Sequence, residues 1–150
     1  MNLNTKIPPP LVMLTFAILI YYSKELMPSV SFKFQSLVAV IFLTAGLAIM
    51  MAAIFAFKRL QTTINPLKPN AATSLVTGGV FRLSRNPMYL AMLMILIAIS
   101  LGSGALASIF LLPGFIAYIT VFQIHPEEKA MRELFHDDYA FYCQQVRRWI

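Results

Sequence analysis

Apolar positions in this chain fall in long blocks rather than in the one-sided spacing of an amphipathic helix, the pattern of segments that face apolar surroundings on several sides. Four blocks stand out. Leu11 to Tyr22 follows Pro8-Pro9-Pro10. At about 1.5 Å per residue it is short for a hydrocarbon core of roughly 30 Å, and it crosses only if the prolines form its first turn and Lys24 reaches the far interface. Leu37 to Phe57 is uncharged and long enough to span. Tyr89 to Ile124 is too long for one span; Gly102-Ser103-Gly104 divides it into two helices joined by a tight turn, with Pro113 kinking the second. The pattern predicts an all-α polytopic membrane protein, one domain over residues 1–150. Its four transmembrane helices are expected at about 9–23, 36–58, 87–101 and 104–125, with a loop over 59–86 and a helical interfacial tail over 126–150. The start of the chain also has the look of a cleaved signal, but no small-residue cleavage site follows the first block, so it is expected to stay as a helix.

Composition supports this reading. The 150 residues are 59% hydrophobic and 12% charged, about half the charge of an ordinary soluble domain, too little to cover a water-exposed surface. Lys58, Arg59, Lys68, Arg82 and Arg85 lie between the second and third blocks, and Lys129, Arg132, Arg147 and Arg148 after the fourth. The first loop has only Lys24 and Lys33, and the Gly102-Ser103-Gly104 turn has no basic residue. The positive-inside rule therefore places both termini and the long loop in the cytoplasm, with the cell membrane as the expected location. Topology and anionic lipid account for the net charge of +6. No basic patch interleaved with stacking aromatics marks a nucleic-acid surface.

Cys143 has no disulfide partner, and its helical neighbours Tyr139, Tyr142 and Val146 predict a buried small hydrophobe. No Cys or His pair has metal-ligand spacing, so no metal site is expected. Gly78-Gly79 has neither the lysine nor the spacing of a phosphate loop.

Two polar constellations remain, both on the expected cytoplasmic side. In Thr77-Gly78-Gly79-Val80-Phe81-Arg82-Leu83-Ser84-Arg85-Asn86-Pro87-Met88-Tyr89 the glycines turn the chain, Asn86 caps the third helix and Pro87 opens it. Arg82 and Arg85 either anchor to headgroups or, beside a helix N-terminus, hold a carboxylate or other anion. In His125-Pro126-Glu127-Glu128 the glutamates either start a helix, favoured by the macrodipole, or hold a cationic ligand. Glu128 is expected to face inward, because Met131 and Phe135 follow it at helical spacing, and Glu127 to lead towards solvent. After Met131, Leu134 and Phe135, Asp137 or Asp138 is expected to cap a last amphipathic helix. That helix carries Tyr139, Tyr142, Val146 and Trp149-Ile150 on one side and Arg147 and Arg148 on the other, as a surface anchor or as a lid over a cytoplasmic pocket.

Residues 60 to 150 resemble the membrane methyltransferases that include isoprenylcysteine carboxyl methyltransferase and the phospholipid N-methyltransferases. The resemblance rests on Leu75-Val76-Thr77-Gly78-Gly79-Val80-Phe81, on Ser84-Arg85-Asn86-Pro87-Met88-Tyr89-Leu90, on Glu127-Glu128, and on Phe135, Tyr139, Tyr142, Val146 and Arg148-Trp149, with a helical hairpin between the halves. It implies S-adenosylmethionine as cofactor, held by Arg85, Asn86, Pro87, Tyr89, Glu128, Tyr139 and Tyr142, with Glu127 and Glu128 as the catalytic pair that binds it or orients the acceptor. Three positions depart from the family pattern: Asn86 stands where many members have histidine, the second helix carries only Gly46 in place of a Gly-x-Gly, and His136 stands where glycine is usual.

The implied function is methyl transfer to a lipophilic or lipid-modified acceptor at the cytoplasmic membrane face, with membrane lipids as the other partners. The cofactor brings an activated methyl, so the protein mainly aligns donor and acceptor and excludes water. Its amino acid end offers a carboxylate for Arg85 and an ammonium for a glutamate. The acceptor, a carboxylate or an amine, is expected to enter sideways from the bilayer, with Asn65, Pro66, Lys68 and Pro69 rimming the cofactor entrance. Arg85 and Tyr89 are expected to serve cofactor affinity rather than folding. Sterol reductases share the Arg-His-Pro-x-Tyr type of element and use a nicotinamide cofactor, so an NADPH-dependent reductase is one alternative; a non-enzymatic membrane interaction protein is the other.

Overall fold

A computed structural model describes residues 7–60 and 74–150. The described residues form five α-helices: α1 (Pro9–Ser23), α2 (Gln35–Arg59), α3 (Pro87–Ser103), α4 (Ser108–Ile119) and α5 (His125–Gln145). A 3-10 turn, Gly79–Arg82, precedes α3, and a π turn, Thr120–Ile124, joins α4 to α5. Among these residues there is no strand, only an isolated bridge between Ser29 and Ala105. The loop residues Asn65, Pro66, Lys68 and Pro69 lie outside the described residues.

Two helical segments are long and apolar enough to cross a membrane: α2, with 25 residues, and the helix that starts at Ser108 and runs on into α5. The apolar part of the second ends at Ile124. Helices α1 and α3, with 15 and 17 residues, are shorter apolar helices. At 1.5 Å per residue they are about 22 and 25 Å long.

Helix α3 is the centre of the bundle, packed against α1, α2 and α4, while α2 has α3 as its main neighbour. Gly46 makes that contact close: a Cβ there would stand 3.1 Å from the Ala91 carbonyl and 3.2 Å from the Met94 Cβ. Val12, Ile20, Tyr89, Met92, Leu96, Phe115, Ile119 and Ile124 are buried together in the bundle's main apolar cluster, where Phe16 meets Phe115 edge to face. On the outside, α2 exposes Leu37, Val40, Ile41, Leu47, Met51 and Phe55, and α1 exposes Leu11, Leu14, Ile18 and Leu19.

The connections sort to two ends. At one, Gly104 ends α3 in the left-handed conformation and its carbonyl accepts the Val30 N–H at 2.9 Å; a Cβ on Gly104 would stand 2.6 Å from the Val30 carbonyl, so glycine is required twice over. The residues 104–107 form the turn, and α4 begins at Ser108. At the other end, the Gln123 Nε2 donates to the Ile7 carbonyl at 2.8 Å. There the end of α2, the 3-10 turn and α5 enclose a second apolar cluster built on Ala53, Val76, Phe81, Tyr139, Tyr142 and Val146, with Cys143 half-buried at its margin.

Two local expectations are corrected. Glu127 and Glu128 do not sit at a free helix start: Ile124 and His125 keep helical backbone angles, and the His125 N–H bonds the Thr120 carbonyl five residues back, so the chain stays helical from α4 into α5. The π turn absorbs one extra residue without exposing unpaired N–H groups, which removes the macrodipole as the reason for two acids here. Asn86 occupies the N-cap position of α3, but its side chain makes no capping bond. A last helical stretch does begin at Asp137 and Asp138: α5 consists of two stretches joined across a kink at His136, whose φ of 39° is the positive value that favours the glycine usual in the resembling family.

Candidate functional site

Between the two apolar clusters lies a polar layer. It is assembled by the segment Ser84–Tyr89 at the head of α3, the start of α5, and the five residues after Gln145, where Val146 leaves the helix in extended conformation. Pro87 is fully buried in the first turn of α3 and fixes the direction in which Asn86 and Tyr89 emerge.

Glu128 is the centre of this layer. Its Oε1 accepts Arg85 Nη2 at 2.7 Å and Arg148 Nε at 2.9 Å, and its Oε2 accepts Arg148 Nη2 at 2.8 Å. The side chains of Glu128 and Arg85 are 7% and 11% exposed, and that of Arg148 is 35% exposed. Burial pushes the Glu128 carboxyl up, but the hydrogen bonds and charge of Arg148, followed by those of Arg85, outweigh it and hold the group below the usual carboxylate range. Arg85 is tied further by Nη1 to the Cys143 carbonyl at 3.3 Å and by its N–H to the Arg147 carbonyl at 3.0 Å. Its Nε is buried with no partner among the described residues.

Glu127 turns not to solvent, as its spacing suggests, but to the bundle, where Tyr89 Oη donates to its Oε1. Burial raises this carboxyl to about 7, with the Tyr89 hydrogen bond lowering it and the Glu128 charge raising it. The adjacent acids thus have opposite states: Glu128 is fixed as an anion by two guanidiniums, and Glu127 titrates near neutrality against a phenol.

Of the residues singled out in the sequence, Arg85, Asn86, Tyr89, Glu127 and Glu128 come together here. Tyr139 borders the layer, its phenol held neutral by burial and by the charge of Glu128. Tyr142 is committed elsewhere, donating to the Phe81 carbonyl at 2.6 Å and tying α5 to the 3-10 turn. Arg148, placed by the sequence pattern on the outer face of an amphipathic helix, instead returns to Glu128, because the helix ends before it. Trp149 likewise joins the main cluster of the bundle and donates from Nε1 to Thr120 Oγ1 at 3.3 Å. Arg85 is a structural tie, bonded to Glu128, Cys143 and Arg147. Gln123, fully buried in the π turn, was not singled out; its only mark in the sequence is an uncharged polar residue in an apolar run.

A family model described as Phospholipid methyltransferase matches residues 34–138, from the start of α2 past the kink in α5. The chain belongs to the phospholipid methyltransferase family. The match takes in Arg85, Tyr89, Glu127 and Glu128, whereas Arg148 lies beyond it. An uncharacterized protein of Haemophilus influenzae is 41% identical over 63 residues, 42% of this chain and 100% of that protein. No solved structure matches the chain. Membership makes this a chain of a methyltransferase family whose name points to a lipid-type substrate, and its apolar helices suit a membrane.

Proposed function

We propose that this protein transfers a methyl group from S-adenosylmethionine to a lipophilic acceptor at the cytoplasmic face of the membrane. The observation that carries the reading is the Arg85–Glu128 pair, buried beside the apolar bundle inside the segment that matches a methyltransferase family. The residues present fit the cofactor: its amino acid end needs a cation for the carboxylate and an anion for the ammonium, and Arg85 has a buried donor, Nε, left over to meet it. In this reading Arg85 and Asn86 hold the carboxylate, Glu128 holds the ammonium and Tyr139 supplies a wall, with Pro87 keeping the head of α3 rigid behind them. The bound cofactor supplies an activated methyl. Tyr89 and Glu127 face the acceptor, which Glu127 orients, while the apolar surroundings favour the neutral form of an amine acceptor. The apolar clusters on both sides exclude water from the reacting atoms.

Calorimetric titration of the purified protein with S-adenosylhomocysteine and, separately, with NADPH tests the reading. Saturable binding of the first and none of the second is expected; NADPH binding alone would transfer the site to reductase chemistry, and binding of neither would leave a membrane interaction protein.

The same reading has the four apolar helices α1 to α4 crossing the bilayer, α1 and α3 assisted by flanking residues, with the polar layer inside the cell. The sorting of the connections to two ends supports it, since the 24–34 segment and the 104–107 turn meet at the end with fewer basic residues. In a Cys143→Ser background, a membrane-impermeant thiol reagent added outside intact cells should label Ser103→Cys and leave Asn70→Cys unlabelled. Labelling at position 70 would reverse the orientation.

A further inference from the structure

The five residues after α5 are held in an unusual way. Val146 is anchored in the second apolar cluster. Beyond it the contacts are mainly polar and aimed at the head of α3: the Arg147 carbonyl accepts the Arg85 N–H at 3.0 Å, and the Arg148 carbonyl accepts Asn86 Nδ2 at 2.9 Å and Ser84 Oγ at 3.3 Å. Trp149 packs against the main apolar cluster beside them and donates one hydrogen bond, to Thr120 at 3.3 Å.

The Glu128 carboxylate accepts three hydrogen bonds, one from Arg85 and two from Arg148. A carboxylate has about four acceptor positions, so a further cation with several donors finds room on Glu128 only if one guanidinium withdraws. The two are not equivalent. Arg85 is enclosed, bonded also to the Cys143 carbonyl, and lies two residues before the start of α3. Arg148 is the more exposed and is carried on the non-helical segment beyond the end of α5.

We infer that residues 147–150 form a strap whose Arg148 guanidinium is a built-in competitor for the Glu128 carboxylate, released when a ligand brings its own cationic group to that carboxylate. The identity of the ligand, the ammonium end of the cofactor, rests on the function proposed above; the strap itself rests on the geometry alone. Closing the carboxylate with a resident guanidinium keeps a buried anion paired at all times, which avoids the cost of an uncompensated charge. It also lowers the apparent affinity by the fraction of molecules in which the strap is open.

The chain's one tryptophan, Trp149, sits in the strap and reports on it directly. Three measurements on the full chain in detergent decide the matter: acrylamide quenching of Trp149 without ligand, the same at saturating S-adenosylhomocysteine, and calorimetric affinity for that ligand. Saturation should increase quenching in the natural protein. Arg148→Ala should show increased quenching without ligand and bind about tenfold more tightly, the effect of removing a closed state populated about nine times in ten. Arg148→Gln, which keeps an amide to bond Glu128, should fall between and serves if the alanine variant folds poorly. Weaker binding by both variants would overturn the strap and make Arg148 a ligand-holding residue. Unchanged quenching in both variants would overturn the strap whatever binds. Increased quenching in the variants with no S-adenosylhomocysteine binding by any form would keep the strap and overturn only the cofactor reading.

Discussion

Glu128→Gln should reduce methyl transfer by at least about tenfold, the size of a lost charge-assisted contact, and should also destabilise the fold. Two guanidiniums converge on this carboxylate, and one of them, Arg85, is 11% exposed. A neutral amide leaves that cation buried without its counter-charge, and breaking such a pair costs roughly 3–5 kcal/mol. Folding and function therefore have to be separated, by comparing methyl transfer per folded molecule and by measuring affinity for S-adenosylhomocysteine. Glu127→Gln, at matched protein levels, should have the smaller effect, because an amide can still accept the Tyr89 hydroxyl. Equal and small losses from both substitutions would take the acidic pair out of the site. A reversed order would hand the larger role to Glu127 and leave the family assignment standing.

The second large effect is a pH dependence that belongs to Glu127. Its carboxyl lies near 7 in the folded protein because of burial, above the ordinary value of 4.5. The folded state therefore binds more protons than the unfolded state between these values. A raised carboxyl contributes stability that is fully present below the ordinary carboxylate range and is lost as pH rises through about 7. The thermal midpoint in detergent should accordingly fall between about pH 5 and pH 8, and Glu127→Gln should flatten that slope because an amide has no proton to lose. Glu128 works in the opposite direction: its depressed carboxyl contributes stability above the ordinary range that is lost only as pH falls below it, so the two residues are separable by pH. An unchanged slope in Glu127→Gln would assign the dependence to other groups.

Much of the architecture was legible in the sequence because it depends on local chemistry. Blocks of apolar residues without one-sided spacing define helices wherever the chain folds, and Pro9, Pro87 and Gly104 mark ends by their own backbone restrictions. The inward phase of Glu128 was legible for the same reason, since Met131 and Phe135 follow it at helical spacing before the break at His136. The sequence also brought Arg85, Asn86, Tyr89, Glu127 and Glu128 to one end of the molecule, through the distribution of basic residues. Which of them touch was decided only by tertiary structure. Whether the glutamates began a helix or continued one depended on a single extra residue absorbed at Thr120–Ile124, and a π turn has no compositional signature. Where Glu127 pointed depended on Tyr89, 38 residues away along the chain and adjacent only once α3 and α5 pack. The side of the molecule taken by Arg148 followed from where α5 stops: extending the helical period past Gln145 puts it outside, whereas the extended backbone at Val146 returns it to Glu128. Periodicity fixes the face of a residue only while the helix lasts, and the partners of a buried charge are chosen by whichever segments the fold brings within reach of it.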